Sequence, residues 1–286
     1  MAMAVRTGAE RLAGEPGLVA DGRLGLITNF TGVLPDLRPT AVALLESGLR
    51  LTALFGPEHG LRGTAQAGAS EAEGNDPDTG LPVFDTYLRH GLAVGELALQ
   101  LGEATVIPME GWSRSLPSGL PWVPPSPNMP TIDTALVYPG TGLFEGTNLS
   151  EGRGTTRPFE TIGAPYVDDR LVPALRSCDL PGLIFRRTWF EPVFSKYAGQ
   201  AVSGVQLHVV DRSAFEPVRT ALVMLRVLNE LYPDDFGLLP SLDKLWGSDS
   251  LRKALESGHD PVALLPEATT PAGWVRPGVL LYEGTA

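Results

Sequence analysis

The sequence holds a single cysteine, Cys178, which excludes an intramolecular disulfide and any cysteine-built metal cluster within one chain. Its neighbours Leu175, Arg176, Ser177 and Asp179 read as a helix end, and the thiol as packed and inert. Basic clusters are lacking too. The formal net charge is −11 with no run of like charge, which argues against nucleic acid, since phosphate binding needs grouped Lys and Arg. No apolar run approaches the roughly 20 residues that span a bilayer. Met1 to Leu12 lacks the charged-then-apolar layout of a signal peptide. The expectation is a chain that stays in the cytoplasm, or works outside it if a leader precedes these residues. Absent as well are a P-loop, a Gly-x-Gly-x-x-Gly fingerprint, a Gly-x-Ser-x-Gly elbow and any His or carboxylate cluster at metal-ligand spacing. No metal and no cofactor are expected.

What is present is enough apolar sequence, 43%, to bury a core, and 33 Gly with 26 Pro to punctuate it with loops. Leu24 to Thr28 is a short apolar run ending in Asn29, and Leu51 to Phe55 is a second. Between them Val42, Leu44, Leu45 and Leu49 recur at helical spacing. Strand, helix, strand, each strand ending in polar residues, is the start of a parallel α/β sheet. Ligands of such sheets collect beyond the carboxyl ends of the strands.

Further along, Ala65 to Asp78 reads as a surface loop, Leu81 to Tyr87 and Ala104 to Pro108 as strands, and Val94 to Leu101 as a short helix. Trp112 to Asn128 is too rich in Pro for regular helix and reads as a connector. Beyond it, Gly204 to Val210 alternates as a strand and Phe215 to Leu231 carries a helical stripe. Ser241 to Leu245 and Ser250 to Leu255 read as short helices, and Val279 to Tyr282 as a closing strand. The expected fold class is α/β: a reduced Rossmann-like parallel-sheet domain over 1–115, followed by a smaller α+β domain over 116–286 that binds substrate.

Two glycine-punctuated loops concentrate the chemistry. In Gly56-Pro57-Glu58-His59-Gly60-Leu61-Arg62-Gly63 a tight backbone projects Glu58, His59 and Arg62. A carboxylate on a rigid loop at a strand end suits acid or base work; the alternative is a turn whose polar groups cap neighbouring backbone. The run from Glu145 to Pro158 packs two carboxylates, two guanidinium groups, one amide and four hydroxyls. An Arg fork there can hold a carboxylate, and Glu and Asn can hold sugar hydroxyls; the alternative is an Arg and Glu network that staples a long loop. Of the other histidines, His90 can line a site or cap a helix, His208 reads as structural and His259 as solvated.

Gly25-Leu26-Ile27-Thr28-Asn29-Phe30-Thr31-Gly32, Phe55 to Gly63, and Pro125-Ser126-Pro127-Asn128-Met129-Pro130-Thr131 form one set with Tyr138-Pro139-Gly140-Thr141, Glu151-Gly152-Arg153-Gly154-Thr155 and Gly163-Ala164-Pro165. Together they resemble the NamZ/YbbC-like exo-β-N-acetylmuramidases of peptidoglycan turnover, from about Gly25 to the carboxyl end. The resemblance implies a Rossmann-like domain plus a smaller α/β domain, with the active cleft between them. It implies release of terminal N-acetylmuramic acid from the non-reducing end of peptidoglycan fragments, so the expected partner is a peptidoglycan-derived sugar or muropeptide. Glu58 then takes the place of the family's prime catalytic carboxylate, and Glu145 or Glu151 that of the second group. Arg153 is available for the lactyl carboxylate, and Asn29, His59, Arg62, His90, Asn128, Asn148 and Thr155 complete the expected substrate-binding set.

One departure stands out. After Gly80-Leu81-Pro82-Val83 the family continues into a long segment that supplies further strands, a Gln-Asp-Val-Gly motif and an Asp-Arg-Pro-Asn-Pro motif. Here Tyr87-Leu88 runs straight into Arg89-His90-Gly91 and Gly95-Glu96-Leu97-Ala98. The resemblance therefore implies a first domain that has lost its middle and one wall of the cleft. It leaves open a non-catalytic relative that binds a muropeptide or a protein.

Overall fold

The computed structural model describes residues 5–66, 68–69, 71–87, 105–113 and 119–266. The expected helix at Val94 to Leu101, the strand at Val279 to Tyr282 and His90 lie outside them. The chain divides into two compact units between Pro127 and Asn128.

The first unit is built on strands β1 (Leu24–Ile27), β2 (Leu51–Gly56), β3 (Gly74–Asn75) and β4 (Pro82–Asp85), in the order β1-β2-β4-β3. The pairs β1/β2 and β2/β4 are parallel, with Ile27 opposite Phe55 and Phe55 opposite Phe84. The two-residue β3 runs antiparallel to β4, so the stretch expected to be only loop contributes an edge strand. Helix α1 (Gly8–Gly14) starts at a Thr7 cap that accepts from Glu10 N–H. Helix α2 (Thr40–Glu46) makes the crossover, burying Ala41 and Leu44 against Leu51 and Leu54. The strand expected at Ala104 to Pro108 is not formed over its described part, Thr105 to Pro108. The nearest pairing is an isolated bridge from Glu110 to Arg6.

The second unit is α+β. Strands β5 (Thr161–Ala164), β6 (Leu183–Phe190) and β7 (Val202–Val209) form an antiparallel sheet in the order β5-β7-β6. Helices α3 (Ile132–Thr141) and α4 (Leu171–Arg176) pack on it, and Cys178 lies just past α4, half-buried, its Sγ against Ala174 O. Helix α5 (Pro217–Leu231) opens on Pro217, whose missing N–H costs nothing in a first turn. It is buried nearly all round, through Leu222, Met224, Leu225 and Leu228. Helices α6 (Ser241–Trp246) and α7 (Ser250–Glu256) close the core with Leu242, Leu251 and Leu255.

Two close approaches fix this unit. Gly140 in α3 lies directly on Pro217 O at the start of α5, where a side chain has no room. At the centre of the sheet Gly163 pairs with Gly204. A Cβ on Gly204 would stand 2.7 Å from Gly163 Cα and closer still to Ile162 O, both of them backbone atoms that cannot rotate away. Gly204→Ala is therefore expected to destabilise the second unit by about 1–3 kcal/mol. A urea melt followed by circular dichroism checks this, and an unchanged midpoint contradicts it.

Candidate active site

In the first unit the carboxyl end of β2 is held from both sides. Thr28 N–H donates to Phe55 O at 3.0 Å, and Thr86 donates to Gly56 O through both N–H and Oγ1 at 3.0 Å. From there the chain turns through Pro57 to Gly60, closed by Gly60 N–H to Pro57 O at 2.9 Å. The returning arm then binds back onto the turn. Gly68 N–H donates to Glu58 Oε1 at 2.7 Å, and His59 N–H to Ala69 O at 3.0 Å. His59 Nδ1 lies 2.9 Å from Ala65 O.

Glu71 locks the second half of the loop. Its carboxylate accepts from Arg62 N–H and Thr64 N–H at 3.1 Å, and from Thr64 Oγ1 at 2.8 Å. Its side chain fills the space beside Gly60, which has φ of +76° and no room for a Cβ. Gly63, at φ of +70°, lies against the Phe30 ring in the same way. These two positions require glycine both for backbone angle and for contact.

Beyond the end of β1 lies a cavity of about 290 Å³, lined among others by Asn29, Phe30, Val42, Leu61, Arg62 and Asp78. Asn29 Oδ1 accepts from Thr31 N–H and Oγ1 at 3.1 and 2.7 Å, which leaves its amide N–H₂ to donate. Arg62 is half-exposed, with Asp76 Oδ1 3.7 Å away. Asp76 is buried and accepts from Thr79 N–H and Oγ1 at 3.0 and 2.7 Å. Asn29 and Arg62 thus share one cavity, and Glu58 and His59 stand on the loop that carries Arg62. Asp76, Asp78 and Thr79 were not among the expected site residues. The signal for them was the turn Asp76-Pro77-Asp78-Thr79-Gly80, in which an Asx side chain caps the residue three ahead.

The polar loop of the second unit leaves a 3-10 turn at Gly142–Gly146 that carries Glu145. Glu151 is buried, its side chain 3% exposed, with Oε2 accepting from Lys196 Nζ at 3.0 Å and Oε1 3.3 Å from Arg153 Nε. Arg153 reaches on through Nη2 to Glu145, and its guanidinium lies 4.9 Å over the Phe159 ring. Lys196 also donates to Phe144 O and Leu149 O at 3.0 Å. Four charges of balanced sign therefore form one chain, with Glu145 at its accessible end (27% exposed).

The remaining expected residues are placed as follows. Asn148 donates to Asp235 O at 2.7 Å and accepts from Gly237 N–H and from Tyr166, whose hydroxyl pKa is pushed up by burial. Thr155 Oγ1 donates to Gly152 O at 2.6 Å. Asn128 is buried at the head of the second unit. His208 is exposed on β7, and His259 is exposed beside Ser257 Oγ at 2.6 Å. Lys196 went unnoticed in the sequence because nothing in Ser195-Lys196-Tyr197 marks a lysine that is pulled inward.

Two family models match the chain. The C-terminal model of exo-β-N-acetylmuramidase NamZ matches residues 136–270, and the N-terminal model matches 24–89 and 86–133. The two N-terminal pieces meet at 86–89, beside the Tyr87-Leu88 step noted in the sequence. The peptidoglycan β-N-acetylmuramidase NamZ of Bacillus subtilis (strain 168) is 35% identical, covering 89% of this chain and 85% of that protein. That alignment is 351 positions long against 286 residues here, so part of it faces gaps in this chain. Two DUF1343 family crystal structures from Bacteroides fragilis NCTC 9343 share the fold. One has a TM-score of 0.69 at 26% identity, covering 92% of this chain and 91% of that one. The other has a TM-score of 0.65 at 21% identity, covering 92% and 93%.

The buried pair gives a stability prediction. Lys196→Met leaves the buried Glu151 with Arg153 as its remaining cation, and since Lys196 is itself 25% exposed the expected cost is about 1–3 kcal/mol. Adding Glu151→Gln removes the stranded charge, so the double variant is expected to lose less than the sum of the singles. Denaturant midpoints of the four proteins of the cycle test this; strict additivity rules out the coupling.

Proposed function

Since the chain belongs to the exo-β-N-acetylmuramidase NamZ family, we propose that it is a glycoside hydrolase acting on peptidoglycan, releasing terminal N-acetylmuramic acid from the non-reducing end of its fragments. The observation that carries this reading is the Gly56–Gly63 loop. It keeps the family's Pro-Glu-His-Gly residues at the carboxyl end of a central parallel strand, beside a cavity sized for part of a sugar.

Glu58 is the proton donor of this reading. It gives a proton to the glycosidic oxygen as the bond to the anomeric carbon breaks; water then supplies the hydroxyl on that carbon, and the proton that water sheds restores the Glu58 carboxyl group by the end of the cycle. Its hydrogen bond from Gly68 N–H fixes where the carboxyl group points before substrate arrives. Asn29, through its free amide donors, and Arg62 face the cavity as binding groups. In the second unit Glu145 is the carboxylate open to a ligand. Glu151 and Lys196 hold Arg153, and through it Glu145, in place.

A chromogenic β-N-acetylmuramide tests the reading. The intact chain is expected to release the chromophore, and Glu58→Gln to lower kcat by about 10²–10⁴-fold with unchanged circular dichroism. A well-folded protein with no turnover, or a Glu58→Gln variant with full turnover, overturns it.

A further inference from the structure

His59 has a backbone that its residue type does not favour. It is the third residue of the Pro57–Gly60 turn and has φ of +72°, a position where β-turns ordinarily place Gly or Asn. A residue with a Cβ adopts that conformation at a cost, and such strain persists where the surroundings impose it. Here they do. Its N–H is tied to Ala69 O and its ring to Ala65 O.

The ring contact also decides the tautomer. A carbonyl oxygen only accepts, so the proton of the neutral imidazole sits on Nδ1, 2.9 Å from Ala65 O. Nε2 is then left with a lone pair and no proton. In its neutral form His59 presents a fixed acceptor that cannot donate, one residue from Glu58. The charged groups on the same loop are Glu58, Arg62 and Glu71, and Arg62 in turn shares its cavity with Asp76 and Asp78.

An acceptor that cannot donate separates a free hydroxyl from an ether. In a 1→4 linked glycan, the terminal muramic acid differs from an internal one at a single position. Its 4-oxygen carries a proton, whereas the internal one is substituted. The 2-position bears the acetamido group and the 3-position the lactyl ether in both, and the 6-hydroxyl is free in both. We propose that Nε2 of His59 accepts a hydrogen bond from the free 4-hydroxyl of the terminal sugar. His59 is thereby a specificity-determining residue for exo-cleavage. A chain that continues beyond position 4 brings an ether oxygen against the Nε2 lone pair, and both groups stay unpaired. This rests on the reading of the Glu58 loop as the active site.

The experiment compares kcat/KM on a chromogenic β-N-acetylmuramide with that on its 4-deoxy and 4-O-methyl analogues, for the intact protein, His59→Gly and His59→Asn. Both replacements accept a left-handed backbone, so thermal melts are expected at or above the wild-type temperature. The wild type is expected to reject both analogues by about 10³-fold. In both variants that factor falls at least tenfold, because the free-hydroxyl substrate loses rate while the analogues do not. Undiminished discrimination in the two folded variants overturns the inference, as does a wild type that accepts the analogues. If Glu58→Gln retains full turnover, the active-site reading fails instead, and the two failures are told apart.

Discussion

Each polar loop is organised by a carboxylate turned inward to collect donors. In the first unit it is Glu71, which takes two backbone amides and one hydroxyl from Arg62 and Thr64 and occupies the space at Gly60. In the second it is Glu151, which takes Lys196 and Arg153. The difference between them is solvent. Glu71 binds neutral donors at a partly open surface, where hydrogen bonds give rigidity at modest net energy. Glu151 is closed off from water, so its charge has to be matched by cations, and one of those is a lysine drawn in from 45 residues away. Glu151 holds Glu145 through Arg153, whereas Glu58 is held by the Gly68 N–H of its own loop.

The same distinction explains how far the sequence could be read. The β1-α2-β2 unit was legible because its apolar residues follow one period at a time and its strand ends are polar. Helix α5 was legible for the same reason. Helix α3 was not, because Tyr138-Pro139-Gly140 looks like a breaker. In the fold Pro139 falls in the last turn, and Gly140 is the residue that lets α5 approach. Strand β6 was missed because Arg186 and Arg187 interrupt its alternation, and Arg187 stacks over Trp189 at 4.5 Å instead of leaving the sheet. The dense polar loop was correctly located. Its division of labour was not legible, since burial separates Glu151 from Glu145 and nothing in the order of residues encodes burial. Asn148 and Thr155 bind backbone in the fold, and only the tertiary partners, Asp235 and Gly237 for the first, reveal it.

The first unit's sheet is mostly parallel, and parallel sheets are usually buried on both faces. Among the described residues β1 is an end strand of its sheet, and its four residues are half-buried or exposed where β2 buries Leu51, Leu54 and Gly56. The core beneath is small, four buried side chains from α2 and β2 with partly buried neighbours. The second unit has no such deficit: its core runs without interruption from α3 through β7 to α7.

The size of the sheet would matter most to the Gly56–Gly63 loop if that loop drew its geometry from distant strands. It does not. Every hydrogen bond described for Pro57 to Thr64 ends on residues between Pro57 and Glu71, and the packing against Gly63 comes from Phe30 at the end of β1. The strand that launches the loop is paired on both sides, by β1 and by β4, and its last carbonyl is capped by Thr86. Closure of this kind is local in sequence, so it costs little chain entropy to form. The geometry of the Gly56–Gly63 loop and the size of the sheet are therefore separable properties of this chain. What the loop's own residues hold is the Glu58 carboxylate and the His59 imidazole, while the Arg62 guanidinium has Asp76, from beyond the loop, 3.7 Å away.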